Sequence, residues 1–229
     1  MKKEYEIHCC GGSKLHKSHS LFDEFICHFP FAVLSVSLGL LLLSFFTPIT
    51  ADPLVLRQFH RLFHSFHFMH ILFASAGAIL MFFRHSQRKS FIKGVIVGTV
   101  SPAFFCMLSD TLMPYIGGKV LGVKMHLHIC FVNEFSNIGL FLLIGLVTGF
   151  VLRFHVDEKH GGSFLTRGLH FIDTLLSTMA SMFYLVSYGF ISWYHQMGVV
   201  FIVLIVAVVV PCTFSDLVVP YFIARDGRK

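Results

Sequence analysis

The decapeptide Cys106-Met107-Leu108-Ser109-Asp110-Thr111-Leu112-Met113-Pro114-Tyr115 returns later in the chain as Cys212-Thr213-Phe214-Ser215-Asp216-Leu217-Val218-Val219-Pro220-Tyr221. Cys, Ser, Asp, Pro and Tyr recur at one spacing, an offset of 106 residues, and each copy closes a long apolar segment. Cys and Asp at i and i+4 share one face of a helix. An aspartate in hydrocarbon is costly, about 2.5–3.5 kcal/mol at mid-span and less near the ends. Two such carboxylates call for a partner or a cavity.

The same gapless offset pairs Phe29/Phe135, Gly39/Gly145, Arg61/Arg167, His64/His170, Ala74/Ala180, Ser75/Ser181, Val97/Val203 and Val100/Val206. It also sets chemically similar residues together at His28/Glu134 and His67/Asp173. Chance alignment of apolar helices accounts for the Val and Ala matches. It does not account for Arg, His, Cys, Ser, Asp, Pro and Tyr falling into one register, so the chain reads as two related halves.

Composition sets the class. Of 229 residues, 55% are hydrophobic and 13% charged, against about 25% charged in average soluble chains. Several runs of roughly 18–20 apolar residues are each long enough to cross a hydrocarbon core. A soluble fold would have to bury six such helices in one small core. The net charge of +6 is therefore read through the loops and not as a nucleic-acid footprint; no nucleic-acid partner is expected. The six cysteines show neither finger spacing nor a disulfide framework. The first apolar run begins near His28, after a polar tail, so no cleavable signal peptide is expected.

Apolar runs place spans at about 29–46, 63–83, 94–115, 134–152, 170–191 and 198–220. Of the 18 Lys and Arg residues, only Arg57, Arg61, Lys119 and Lys124 fall in the loops opposite the termini. That bias predicts cytoplasmic termini. The expected architecture is all-α: a polytopic membrane protein, in a plasma or inner membrane, with six transmembrane helices. Residues 1–27 form a tail, 28–122 one three-helix repeat and 123–229 the second. An odd number of spans per half inverts one repeat relative to the other, a 3+3 arrangement known from secondary transporters. Inversion places His64, His67, Cys106, Asp110 and Glu134 towards the outer face, and His28, His170, Asp173, Cys212 and Asp216 towards the cytoplasm.

His60, His64 and His67 lie at i, i+4 and i+7, one face of a helix. Imidazole, carboxylate and thiol together suit Zn, Fe, Mn or Co as divalent ions. His64, His67, Asp110, Cys106 and Glu134 are the candidate ligands of the outer cluster, with His126 and His128 capping it from a loop. The second cluster, His28, His170, Asp173, Cys212 and Asp216, is richer in oxygen. Competing roles exist for many of these. His60, His70, His126 and His195 lie near span ends, where rings sit at headgroup level. Asp110 and Asp216 can serve as Asp–His ties between helices, and Cys106 and Cys212 as small packing residues. Pro114 and Pro220 are expected to end or kink their helices.

His60-Arg61 with His64-Ser65, followed by Asp110-x-Leu112-x-Pro114-x-x-Gly117, resembles the LexA-binding inner-membrane family of membrane-bound metal-dependent hydrolases. That family carries an HR…THS motif and an H-x-x-x-D-x-x-x-P segment. The resemblance covers residues 60–117. Here the first motif is one residue short and lacks its Thr, and Cys106 stands where His is expected. The resemblance implies His60, His64 and Asp110 as metal ligands.

Three functions follow. A small carrier or channel for a divalent transition metal accounts for the duplication and the charged groups in both halves. A membrane-embedded hydrolase of a lipid or lipid-linked substrate would use a metal on His64, His67 and Asp110, with Glu134 as catalytic general base. A non-catalytic subunit would use the polar groups for helix packing alone. The carrier is preferred, with the bilayer, the metal ion and a second copy of the chain as expected partners.

Overall fold

The computed structural model describes residues 21–46, 52–86, 90–155 and 162–226. Among these, all regular structure is helical. Six long helices follow one another: α1 (Leu21–Phe46), α2 (Pro53–His85), α3 (Phe91–Val120), α4 (Phe135–His155), α5 (Gly162–Ser187) and α6 (Ile191–Arg225). Each contains a stretch long and apolar enough to cross a membrane. The chain is thus built as a multi-pass membrane protein. Its large exposed side chains, among them Leu41, Phe45, Ile96, Phe104, Val147 and Ile202, are those a lipid-facing surface requires. Residues 1–20 of the expected tail lie outside the described residues.

One boundary moves by ten residues, with consequences for the site. The second span is expected from about residue 63, yet α2 begins at Pro53. Asp52 is its N-cap, the Asp52 carboxylate accepting the Leu54 N–H at 2.7 Å, and Pro53 sits where a helix has no N–H bond to lose. His60, His64, His67 and His70 therefore lie well inside one helix. Trp193, at the start of α6, is among the most buried side chains.

Helices α2 and α5 run through the centre of the bundle and pack along each other. α1 lies on α5, while α3 and α4 lie on α2. Two of these contacts exchange under the 106-residue offset. A Cβ at Gly39 of α1 would meet Thr178 Cγ2 of α5 at 2.6 Å; a Cβ at Gly145 of α4 would meet the Leu72 carbonyl oxygen of α2 at 2.6 Å. Gly39 pairs with Gly145 in the offset, and Leu72 with Thr178. In a membrane, helix association relies on close packing of small residues, and both contacts are of that kind.

The repeated decapeptide forms the same irregularity twice. Leu108–Leu112 and Phe214–Val218 are π-helical turns. Met113 N–H bonds to the Leu108 carbonyl and Val219 N–H to that of Phe214, each one residue before a proline. Pro114 and Pro220 lack an N–H, and widening the turn lets the chain absorb the loss. Both helices consequently continue past their prolines, to Val120 and Arg225, where a stop or kink was expected. The wide turn also aims Asp110 and Asp216 into the bundle, where both are buried. π-Turns of this kind recur at functional sites.

The Gly145 contact is a direct test of this packing. Gly145→Val should destabilise the protein by about 1–3 kcal/mol, the usual cost of overpacking, read as a lower melting temperature in detergent. Gly139→Ala, on the same helix but with open space around its Cβ position, should melt within error of wild type.

Candidate metal centre

Asp110 is fully buried and four donors converge on it. His67 Nδ1 and His70 Nδ1 of α2 approach its Oδ2 at 2.8 and 2.7 Å. Ser109 Oγ and Ser177 Oγ, the latter from α5, donate to its Oδ1 at 2.8 and 2.5 Å. A carboxylate only accepts, so both imidazoles present Nδ1–H and both Nε2 atoms face elsewhere. With four bonds the acceptor capacity of Asp110 is filled. Of the two roles expected for Asp110, metal ligand and Asp–His tie, the hydrogen bonds display the tie, and the same three residues, His67, His70 and Asp110, form a group of donors that could hold a metal ion.

His70 carries the line across the bundle. Its Nε2 lies 3.4 Å from Asp173 Oδ2 of α5, and the thiols of Cys106 and Cys212 approach the same nitrogen at 3.6 and 3.5 Å. The two cysteines are offset equivalents, one from each half, set about one imidazole. The expectation of a headgroup-level His70 is thus corrected: the residue is 1% exposed, at the hub of the site. The expectation of separate clusters near opposite faces changes with it, since His70 joins them.

Beyond Asp173 the line reaches His170, whose Nδ1 bonds Asp216 Oδ2 at 3.1 Å. Donor atoms converge in overlapping sets: His67, His70 and Asp110; His70, Asp173 and Cys212; and His170, Asp173 and Asp216, all buried, the atoms of each set within 4.8 Å of one another. Both Asp173 oxygens, Asp216 Oδ1 and His67 Nε2 are buried without a hydrogen-bond partner. A buried polar atom left unsatisfied costs about 1–3 kcal/mol, more when charged, so the three on Asp173 and Asp216, which belong to one donor set, favour a bound cation. Two carboxylates, imidazole nitrogens and thiols fit a borderline transition metal by donor type.

Other expected residues are distributed differently. His64 belongs with His60 and His128, not with His67 and Asp110: His64 Nε2 and His128 Nε2 are 3.1 Å apart, and the three rings form a half-buried group. The i, i+4, i+7 face splits because His67 turns inward to Asp110. Glu134 accepts from Asn137 Nδ2 at 2.6 Å and belongs to none of the four donor groups. The His126 ring is exposed, and this residue contributes its carbonyl, which accepts from Tyr184 OH at 3.0 Å. His128 N–H donates to the same hydroxyl at 3.1 Å, so Tyr184 pins the loop. Burial holds the His128 imidazole below its ordinary pKa and the neighbouring His60 adds to this, against Glu134. Burial pushes the nearby Cys130 thiol up to about 12. The side chain of His28 lies outside the described residues.

Sequence reasoning missed His70 and Ser177. Both were signalled. His70 is three residues beyond His67 on one face, and Ser177 continues the stripe His170, Asp173, Thr174, Ser177, Thr178, Ser181, all buried, along an otherwise apolar helix.

No protein-family model, curated protein or solved structure matches the chain.

The Asp110 cluster makes a graded stability prediction. Ser177→Ala removes one of four donors and should cost about 1.5–3 kcal/mol, the range for hydrogen bonds to charged groups. Asp110→Asn leaves two buried imidazoles without their carboxylate and should cost about 3–5 kcal/mol. Unfolding of the purified protein in mixed micelles would rank the two; equal losses would contradict a four-donor carboxylate.

Proposed function

We propose that the protein is an integral membrane carrier for a divalent transition metal, whose path is the buried His–Asp–Cys line. The observation that carries this reading is Asp173. Both its oxygens are buried without hydrogen bonds, and it is shared between the donor set of His70 and Cys212 and that of His170 and Asp216. A single catalytic metal needs one set of ligands. Two sets that share Asp173, one with His70 and Cys212 and one with His170 and Asp216, suit an ion that moves.

Supporting this, the sets draw on both halves of the chain: His70 from one, Asp173, Cys212, His170 and Asp216 from the other. The two decapeptides supply matching cysteines around one imidazole, and matching π-turns. Two inverted three-helix repeats with cytoplasmic termini would place the shared residues at their interface, where carriers bind substrate. Metal ligands must shed protons to bind, so an ion arriving at His70 and Asp173 would release protons into the same line, a natural means of coupling. Asp110 would act as a positioning residue, holding the His70 ring so that its Nε2 lone pair faces the ion.

A hydrolase of lipid-linked substrates draws less support. Its general base would be Glu134, which bonds Asn137. Of the ligands its metal would need, His67 and Asp110 are only 0–1% exposed, while His64 belongs to a different group of donors.

Reconstituted into vesicles, the wild type should admit Zn²⁺ or Co²⁺ down an imposed gradient, followed with an enclosed metal-sensitive dye. Asp173→Asn, His70→Gln and Asp216→Asn should each reduce the rate to that of empty vesicles. Transport by Asp173→Asn at the wild-type rate would overturn the proposal, and activity that needs Asp110 but not Asp216 would favour a one-sided enzyme site.

A further inference from the structure

The buried line leaves one histidine group unused. His60 and His64 stand one turn apart on α2, and His128 reaches them from the loop between α3 and α4. Ring centroids are 4.7 Å apart for His60 and His64, 5.2 Å for His60 and His128, and 5.1 Å for His64 and His128. The interplanar angles are 89°, 72° and 88°. The rings meet edge to face, as packed aromatic rings also do; what distinguishes the group is that one nitrogen of each ring lies within 4.8 Å of the others.

The protonation pattern is decided by the backbone. His64 Nδ1 lies 3.0 Å from the His60 carbonyl oxygen, which only accepts. Nδ1 therefore carries the proton, and in the neutral ring Nε2 is a lone pair. That lone pair points at His128 Nε2, 3.1 Å away. A metal-binding histidine ordinarily donates its other N–H to a carbonyl or carboxylate in this manner, which fixes the ring and its tautomer. The loop carrying His128 is equally constrained, its N–H held by Tyr184 OH at 3.1 Å and its chain started by Gly122, whose φ of 79° suits glycine. The ring group is thus assembled before any ion arrives.

Access separates it from the buried line. All three histidines are half-buried, and a surface recess lined by Pro53, Leu56, Arg57, Ser187, Tyr188 and His60 itself opens beside them. Glu134 acts electrostatically on His128 and is the nearby anion.

We infer that His60, His64 and His128 form a second metal site, distinct from the buried line, that takes an imidazole-preferring divalent ion such as Zn²⁺, Co²⁺ or Ni²⁺. Three imidazole nitrogens leave coordination positions for water or a passing ligand, so the ion exchanges with solvent. Its role as a loading station for the buried path rests on the carrier reading; its existence as a site does not.

The test uses the full-length protein in detergent, with Co²⁺ as a spectroscopic probe and Zn²⁺ as competitor. The wild type should show visible Co²⁺ bands with a nitrogen-ligand signature. His128→Gln and His64→Gln should each weaken Co²⁺ binding to this site by at least about tenfold, since even partners behind a metal ligand are worth 10–100-fold. His126→Gln, two residues from His128 but with an exposed ring, should bind as wild type, and Asp173→Asn should retain the site. If His64→Gln fails to fold, His128→Gln in the loop decides alone. Unchanged Co²⁺ affinity in His128→Gln overturns the inference. Loss of the bands in Asp173→Asn as well would show one joint site instead of two, and also overturns it. A silent His128→Gln beside Asp173→Asn that blocks transport would defeat this inference while leaving the carrier standing.

Discussion

Four hydrogen bonds to one buried carboxylate hold this bundle in register. Asp110 ties α3 to α2 through His67 and His70, and to α5 through Ser177. Those are the helices that run through the centre. Hydrocarbon offers no water to satisfy a stray carboxylate, so the charge is tolerable only if every lone pair is used. Satisfying it fixes the rotation of α2, and with it the direction in which His70 Nε2 points.

From that orientation the remaining chemistry follows. His70 faces Asp173, and Asp173 faces Asp216 and His170, so one satisfied carboxylate stands at the head of a line containing two that are not. The contrast between Asp110 and Asp173 is physical, not positional. Both are fully buried, but one accepts four hydrogen bonds and the other has no hydrogen-bond donor. The first is structural support; the second is where a cation would gain most. The repeated π-turns make this possible by letting a Ser-Asp pair protrude from a helix that then continues through proline.

Much of this was legible in the sequence. Six spans, the offset of 106 and the matching polar decapeptides all come from residue pattern, and the structure adds the matching π-turns and the exchange of the Gly39 and Gly145 contacts. The start of α2 lies ten residues ahead of its continuous apolar run, because Asp52-Pro53 spells an N-cap followed by a first-turn proline and the polar residues between are helical as well. A span counted from residue 63 sets His70 near its end; a helix counted from Pro53 sets it well inside. The link between His70 and Asp173 was not legible, because it depends on how two central helices rotate against each other, and helical periodicity gives only the face of each. The split between His64 and His67 is of the same origin: one helical face can serve a loop on one side and a neighbouring helix on the other. Asp110 was singled out correctly as a residue that needed a reason, but composition could not say whether its partner was an ion or four protein donors.

The central claim is that the unsatisfied atoms around Asp173 hold a metal. It is tested most directly by elemental analysis of the full-length protein, purified without chelators after exposure to Zn²⁺ and then desalted. The account predicts stoichiometric metal in the wild type and a clear loss of it in a folded Asp173→Asn variant. Metal no higher than background in the wild type would contradict it.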